Sequence, residues 1–231
     1  MTNFGELIKK VLTLYSTNFK FVVGLTSVSL IWNIALILVP VSLATTMRYL
    51  IPVAAGSLII LMFTELALVS GFGSLITGSR ISVPRAFLNA LKYLPWFVVL
   101  FIVWLIVVMF GALFLIVPGI IFAVWFMFLS SALVLENKKG INAFKRSRHL
   151  VYGHTIGLFL RVFLVGAVLT AISEIAGRGF VYITNAVAPS DALPYLLTAG
   201  QLFSTVLSIL IFPILPATIV TLYFEMKKLK G

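Results

Sequence analysis

The chain has no cysteine, only two histidines (His149 and His154), and charge at just 10% of its 231 positions. Without cysteine there can be no disulfide framework, thiolate metal site or Cys nucleophile. Two histidines do not make a His-rich zinc or haem site, so neither a metal nor a cofactor is expected. HExxH, GxSxG and paired intramembrane carboxylates are also missing. With no group placed to activate water or a nucleophile, the chain is expected not to be an enzyme. The scarcity of charge excludes more still, because a soluble domain usually carries about a quarter charged residues.

What the chain has in quantity is apolar surface. Hydrophobic residues make up 61% of it, and the mean hydropathy is +1.18. The expected fold class is an all-α membrane protein, a single polytopic domain with no soluble part. Lys and Arg number 17 against 6 Asp and Glu, a net charge of +11. In a soluble protein that balance would suggest nucleic acid. In a membrane protein basic residues flank spans and set orientation, so membrane lipids, anionic ones above all, are the expected partners and nucleic acid is not.

Six spans are expected, at about 21–45, 53–78, 96–117, 119–135, 154–177 and 196–224. Between Lys92 and Glu136 lie 43 residues without a charge, too many for one span and suited to two. Pro118-Gly119 is the turn dipeptide expected between them. Pro213 and Pro216 are expected to kink or break the sixth span. Loops containing Arg48 and Pro52, and Arg178, Pro189 and Asp191, are expected on the side opposite the termini.

Three further stretches, about 3–19, 82–94 and 140–152, mix basic and apolar residues at helical spacing. They read as amphipathic interfacial helices. A signal peptide fits the first poorly, because its basic region is long and the following apolar run exceeds an h-region. Each such helix precedes a pair of spans, and Ala86-Phe87 and Ala143-Phe144 hold matching places. The order reads as a pseudo-threefold repeat of helix-plus-hairpin units about an axis along the membrane normal. With six spans, fourteen of the 17 basic residues collect on the side of the termini. The positive-inside rule then puts both termini in the cytoplasm and the chain in the cell (inner or plasma) membrane.

The stretch from Leu115 to Gly153 contains Leu-Ile-Val-Pro-Gly-Ile-Ile, then Leu-Val-Leu-Glu136, Gly140, Ala143, Lys145-Arg146-Ser147-Arg148-His149-Leu150 and Tyr152-Gly153. It resembles the membrane domain of glycerophosphodiester phosphodiesterases and related uncharacterised prokaryotic membrane proteins, including the YciC-like group. Phe4-Gly5-Glu6-Leu7 with Tyr15, Asn18 and Phe19 fits the same pattern. The resemblance implies a six-span membrane domain and a prokaryotic source. The soluble phosphodiesterase barrel is absent, so that chemistry is not implied.

The intramembrane ionisable residues Glu65, Arg161 and Glu174 are the first candidates. An acid near the midplane costs several kcal/mol unless it is paired or protonated. Glu65 is either a proton or cation site or a helix-packing group. Arg161 could snorkel to the headgroups, pair with Glu65 or touch a lipid phosphate. Glu136 and the basic residues Lys145, Arg146 and Arg148 form either an ion pair that docks the third amphipathic helix or a headgroup site. Gly166, Thr170, Ser173 and Gly177 share one face of the fifth span, read as close helix packing with a polar conduit as the alternative. Gly71-Phe72-Gly73 is read the same way and not as a phosphate loop.

Two functions follow. One is an accessory or scaffold protein that organises lipids or a membrane-protein partner through a basic cytoplasmic face. The other is a transporter or lipid-translocating protein centred on Glu65.

Overall fold

The computed structural model describes residues 2–37, 47–114, 116–187 and 193–230. The far end of the first expected span (38–45), Leu115, Pro189 and Asp191 lie outside the described residues. Among the described residues there are ten α-helices and no strand: α1 Phe4–Thr17, α2 Phe19–Ile37, α3 Met47–Ile76, α4 Val83–Phe114, α5 Ile116–Trp125, α6 Leu129–Glu136, α7 Ile141–Val151, α8 Thr155–Val187, α9 Leu193–Ile211 and α10 Ile214–Lys230. Among the described residues six stretches are long and apolar enough to cross a membrane: Phe19–Ile37, Tyr49–Ile76, Val83–Leu113, Val117–Glu136, Thr155–Ile183 and Thr198–Lys230. The chain is an all-α, multi-pass integral membrane protein.

The apolar residues divide as a bilayer requires. Helix α3 packs against α2, α4, α6 and α10. Around it Leu66, Phe72, Phe128, Leu133 and Tyr223 are fully buried. Along α4, Ile102, Ile106, Met109, Phe110 and Leu113 stay exposed. In water such a stripe would be a liability, but in lipid it faces a solvent as apolar as itself.

The termini meet. Helix α1 buries Leu7 and Val11 and packs on α10. Thr2 donates its hydroxyl to Glu225, and Lys10 lies 3.8 Å from the same carboxylate. Asn18 separates α1 from α2, its side-chain amide donating back to the Leu14 carbonyl at 3.0 Å. Gly140 and Gly153 bound α7 with φ of 56° and 80°, a left-handed conformation that an L side chain would resist.

Several expected boundaries need correction. The stretch 82–94 is not a separate interfacial helix. It forms the first turns of α4, which runs through Pro95 to Phe114, and its Phe87 stacks on Phe63 of α3. Loss of one backbone bond at Pro95 does not stop a helix that packs along a neighbour on both sides of the proline. Pro118-Gly119 is not a turn either. Pro118 lies in the first turn of α5, where its missing N–H would have no intrahelical partner anyway. Gly119 is where α5 meets α4 backbone to backbone: a Cβ there would come within 3.0 Å of the Ala112 Cα.

Pro52 lies inside α3 and Arg178 inside α8, not in loops. The fourth span is broken, which hydropathy does not reveal: Phe126, Met127 and Phe128 form a turn between α5 and α6. The sixth span breaks at Phe212-Pro213, where a break is expected, while Pro216 sits in the first turn of α10.

Candidate functional site

The block Glu136 to Tyr152 folds into a braced surface. Helix α6 ends at Glu136, followed by Asn137 in the left-handed conformation with φ 52°. The Lys138 N–H closes back on the Ala132 carbonyl at 3.1 Å, which satisfies one of the last free carbonyls and turns the chain. Arg146 of α7 then reaches back to Glu136 with a two-pronged contact, Nε to Oε2 at 2.9 Å and Nη2 to Oε1 at 3.0 Å. Lys227 of α10 meets the same carboxylate at 3.0 Å. The Glu136 carboxylate pushes the Arg146 guanidinium above its ordinary value, so Arg146 stays charged at any pH the protein meets.

One acid thus ties three helices together. Lys230 adds a second tie by donating to the His149 and Tyr152 carbonyls at the end of α7. Of the four expected headgroup or docking residues, Glu136 and Arg146 are engaged inside the protein, whereas Lys145 and Arg148 are exposed. The Arg148 guanidinium lies 4.4 Å from the Trp125 ring centroid. That cation–π contact holds the guanidinium over the ring without neutralising its charge.

The two span breaks are each capped by a flanking helix. Ser147 of α7 donates to the Trp125 carbonyl at 2.8 Å and accepts from the Phe128 N–H at 3.1 Å. Both groups are freed by the 126–128 turn, and a free backbone group in an apolar surround is costly. Tyr15 of α1 donates its hydroxyl to the Leu210 carbonyl at 2.7 Å, one turn before Pro213. Burial pushes the Tyr15 phenol up, so it remains a donor. Neither residue was a sequence candidate. The only available sign was a hydroxyl at an otherwise apolar or basic position of an amphipathic helix.

Glu65 sits nearer the Ile76 end of α3 than the Met47 end. Among the described residues no Lys, Arg or His forms an ion pair with it. It lines a chamber of about 390 Å³ whose walls include Phe97, Phe101, Trp104, Phe126 and Met127. Ser130 of α6 lines the same chamber. Phe101, Trp104 and Phe126 are half-buried, so the chamber is not sealed.

Arg161 does not join Glu65. Its Nη2 donates to the Thr2 carbonyl at 2.8 Å, so Thr2 links α8 to Glu225 of α10. Among the described residues, Arg161 Nη1 and Glu225 Oε2 are both buried without a partner.

Glu174 pairs with Arg178 one turn along α8, at 2.9 Å and largely exposed. The pair borders a cleft of about 880 Å³ between α8, α9 and the end of α2, with Gln201, Ser204 and Thr205 on its far wall. Gly166, Thr170 and Ser173 border a neighbouring space of about 300 Å³. The expectation of close packing on this face therefore holds at Gly177, where a Cβ would come within 2.9 Å of Ser204 Oγ, and fails at Gly166, where it would meet nothing within 4 Å. Leu215 borders both this space and the Glu65 chamber. By contrast Gly71 and Gly73 are packing positions, against Leu25 and Leu135.

Residues 44–226 match the family described as a domain of unknown function (DUF7847), and the chain belongs to that family. No curated protein and no solved structure matches it.

Proposed function

We propose that this member of the family is an accessory membrane protein, not an enzyme, that gathers anionic lipids or a membrane-protein partner on its basic face. The observation that carries the reading is the tie of Glu136 to both Arg146 and Lys227. It holds α7 against α6 and α10, and Lys145 and Arg148 of α7 are exposed, as are Lys138 and Lys139, which follow α6. Exposed cations next to an apolar bundle are the arrangement that anionic headgroups recognise. The positive-inside bias supports a cytoplasmic position for that face and both termini.

Native mass spectrometry of the protein extracted in its own lipid tests the reading. Stoichiometric anionic lipid or a partner protein is expected, with lipid retention falling in a Lys145→Gln, Arg148→Gln double variant. Equal retention of zwitterionic and anionic lipid would overturn it.

One observation favours a second reading, a transporter or lipid-translocating protein: the chamber at Glu65 has room for a small molecule. Flux in protein-only liposomes separates the two, since a scaffold moves nothing.

A further inference from the structure

We propose that the Glu65 chamber is a binding site for an amphiphilic cation, an alkylamine or similar group with one positive charge on an apolar body. The inference goes beyond the basic-face reading, which leaves the chamber without a role. It also gives the second reading its ligand class, but it stands on binding and does not require transport.

Three features converge. The first is an acid without a cation. Glu65 lies within a membrane-spanning helix, shares the chamber wall with the Ser130 hydroxyl, and has no ion-pair partner among the described residues. A hydroxyl offsets part of the cost of a carboxylate in an apolar surround but supplies no charge. The second is the wall. Phe97, Phe101, Trp104 and Phe126 present rings around the one acid. Aromatic faces attract a cation, most strongly where water is excluded, and they accept an alkyl chain equally well. An anion would meet the carboxylate, and a sugar or phosphate would find only Glu65 and Ser130 to bond. The third is size. About 390 Å³ falls in the lower part of the range for small-molecule sites. The incomplete burial of Phe101, Trp104 and Phe126 leaves a way in.

The two helices that carry Glu65 and Ser130 are fixed independently of any ligand. Helix α3 is packed on four neighbours. Helix α6 is held by the Glu136 tie at one end and by the Ser147 bridge at the other. The chamber is therefore preorganised, with its acid in place before the cation arrives.

The test uses the full chain in nanodiscs of zwitterionic lipid, with empty nanodiscs as background. The probes are octylammonium and its neutral counterpart octanol. Saturable binding of octylammonium is expected, about tenfold weaker in Glu65→Gln, with octanol bound equally weakly by both. Trp104→Leu keeps the carboxylate and removes one ring, and it should weaken octylammonium severalfold. Because Trp104 is half-exposed, this variant keeps the proposal testable if Glu65→Gln does not fold. Absence of saturable binding in the wild type would overturn the proposal. So would octylammonium binding that Glu65→Gln and Trp104→Leu leave unchanged, or octanol binding as tight as octylammonium. Saturable amine binding together with no amine flux in liposomes would sink the transporter reading while upholding the site.

Discussion

The Ser147 hydroxyl spans the break in the fourth transmembrane stretch, donating to the Trp125 carbonyl at 2.8 Å and accepting from the Phe128 amide at 3.1 Å. One side chain from α7 thus replaces the backbone bonds that the 126–128 turn removes. Ser147→Ala leaves a buried donor and a buried acceptor unpaired, and each such group costs about 1–3 kcal/mol. The variant should unfold at a clearly lower temperature in detergent, and amide exchange should accelerate first around 126–128. A wild-type melting curve would show that the bridge contributes nothing.

Tyr15 serves the other break from α1. Tyr15→Phe keeps the ring and deletes the donor to Leu210, with an expected loss of about 1 kcal/mol. The loss should be smaller than for Ser147→Ala, because one partner is orphaned and not two. Thermal unfolding of the two variants side by side checks the order.

Glu136 is the shared acceptor of Arg146 and Lys227. Removing it leaves two cations facing one another, whereas removing Lys227 leaves the two-pronged Arg146 contact intact. Glu136→Gln should therefore destabilise by about 3 kcal/mol and Lys227→Met by about 1 kcal/mol or less. Arg146→Lys cannot keep both prongs and should fall between them. Chemical denaturation of the three variants tests this ranking, and equal costs would contradict it.

A charge swap between Glu65 and Arg161 should give no rescue, because Arg161 is bonded to Thr2 and not to Glu65. The coupling energy from a double-mutant cycle should be within about 0.5 kcal/mol of zero. A clear positive coupling would mean that the two groups meet.

The absence of cysteine makes the α8–α9 cleft directly measurable. Single cysteines at Ser204 and Ser208 should react readily with a water-soluble thiol reagent, since both border the cleft. Ser131→Cys, fully buried in α6, should resist it. Equal reaction rates at the three positions would show that the cleft is not wet.

Much of the fold was legible in the sequence. Hydropathy gives six segments long and apolar enough to cross a membrane, and Pro213 marks a real break, because proline cannot donate the backbone bond a helix needs. The Glu136–Arg146 contact could be anticipated, since the two residues are ten positions apart across a short turn. The first turns of α4 were misread because the basic and apolar pattern of 82–94 is the same whether a helix lies on a membrane or enters it. Pro118-Gly119 was misread because a proline in a first turn and a glycine at a close approach carry the same letters as a turn. The 126–128 break had no local signal, its residues being Phe, Met and Phe.

Composition and spacing alone determine that this chain is an all-α membrane protein with six segments long and apolar enough to cross a bilayer. These properties are sums over neighbouring residues, and a sequence displays such sums directly. Only the tertiary structure decides which polar group meets which: Tyr15 with Leu210, Ser147 with Trp125 and Phe128, Thr2 with Arg161 and Glu225. In an apolar medium each buried donor and acceptor needs a partner. The nearest one in space comes from whichever helix packs there, and that depends on the whole bundle at once.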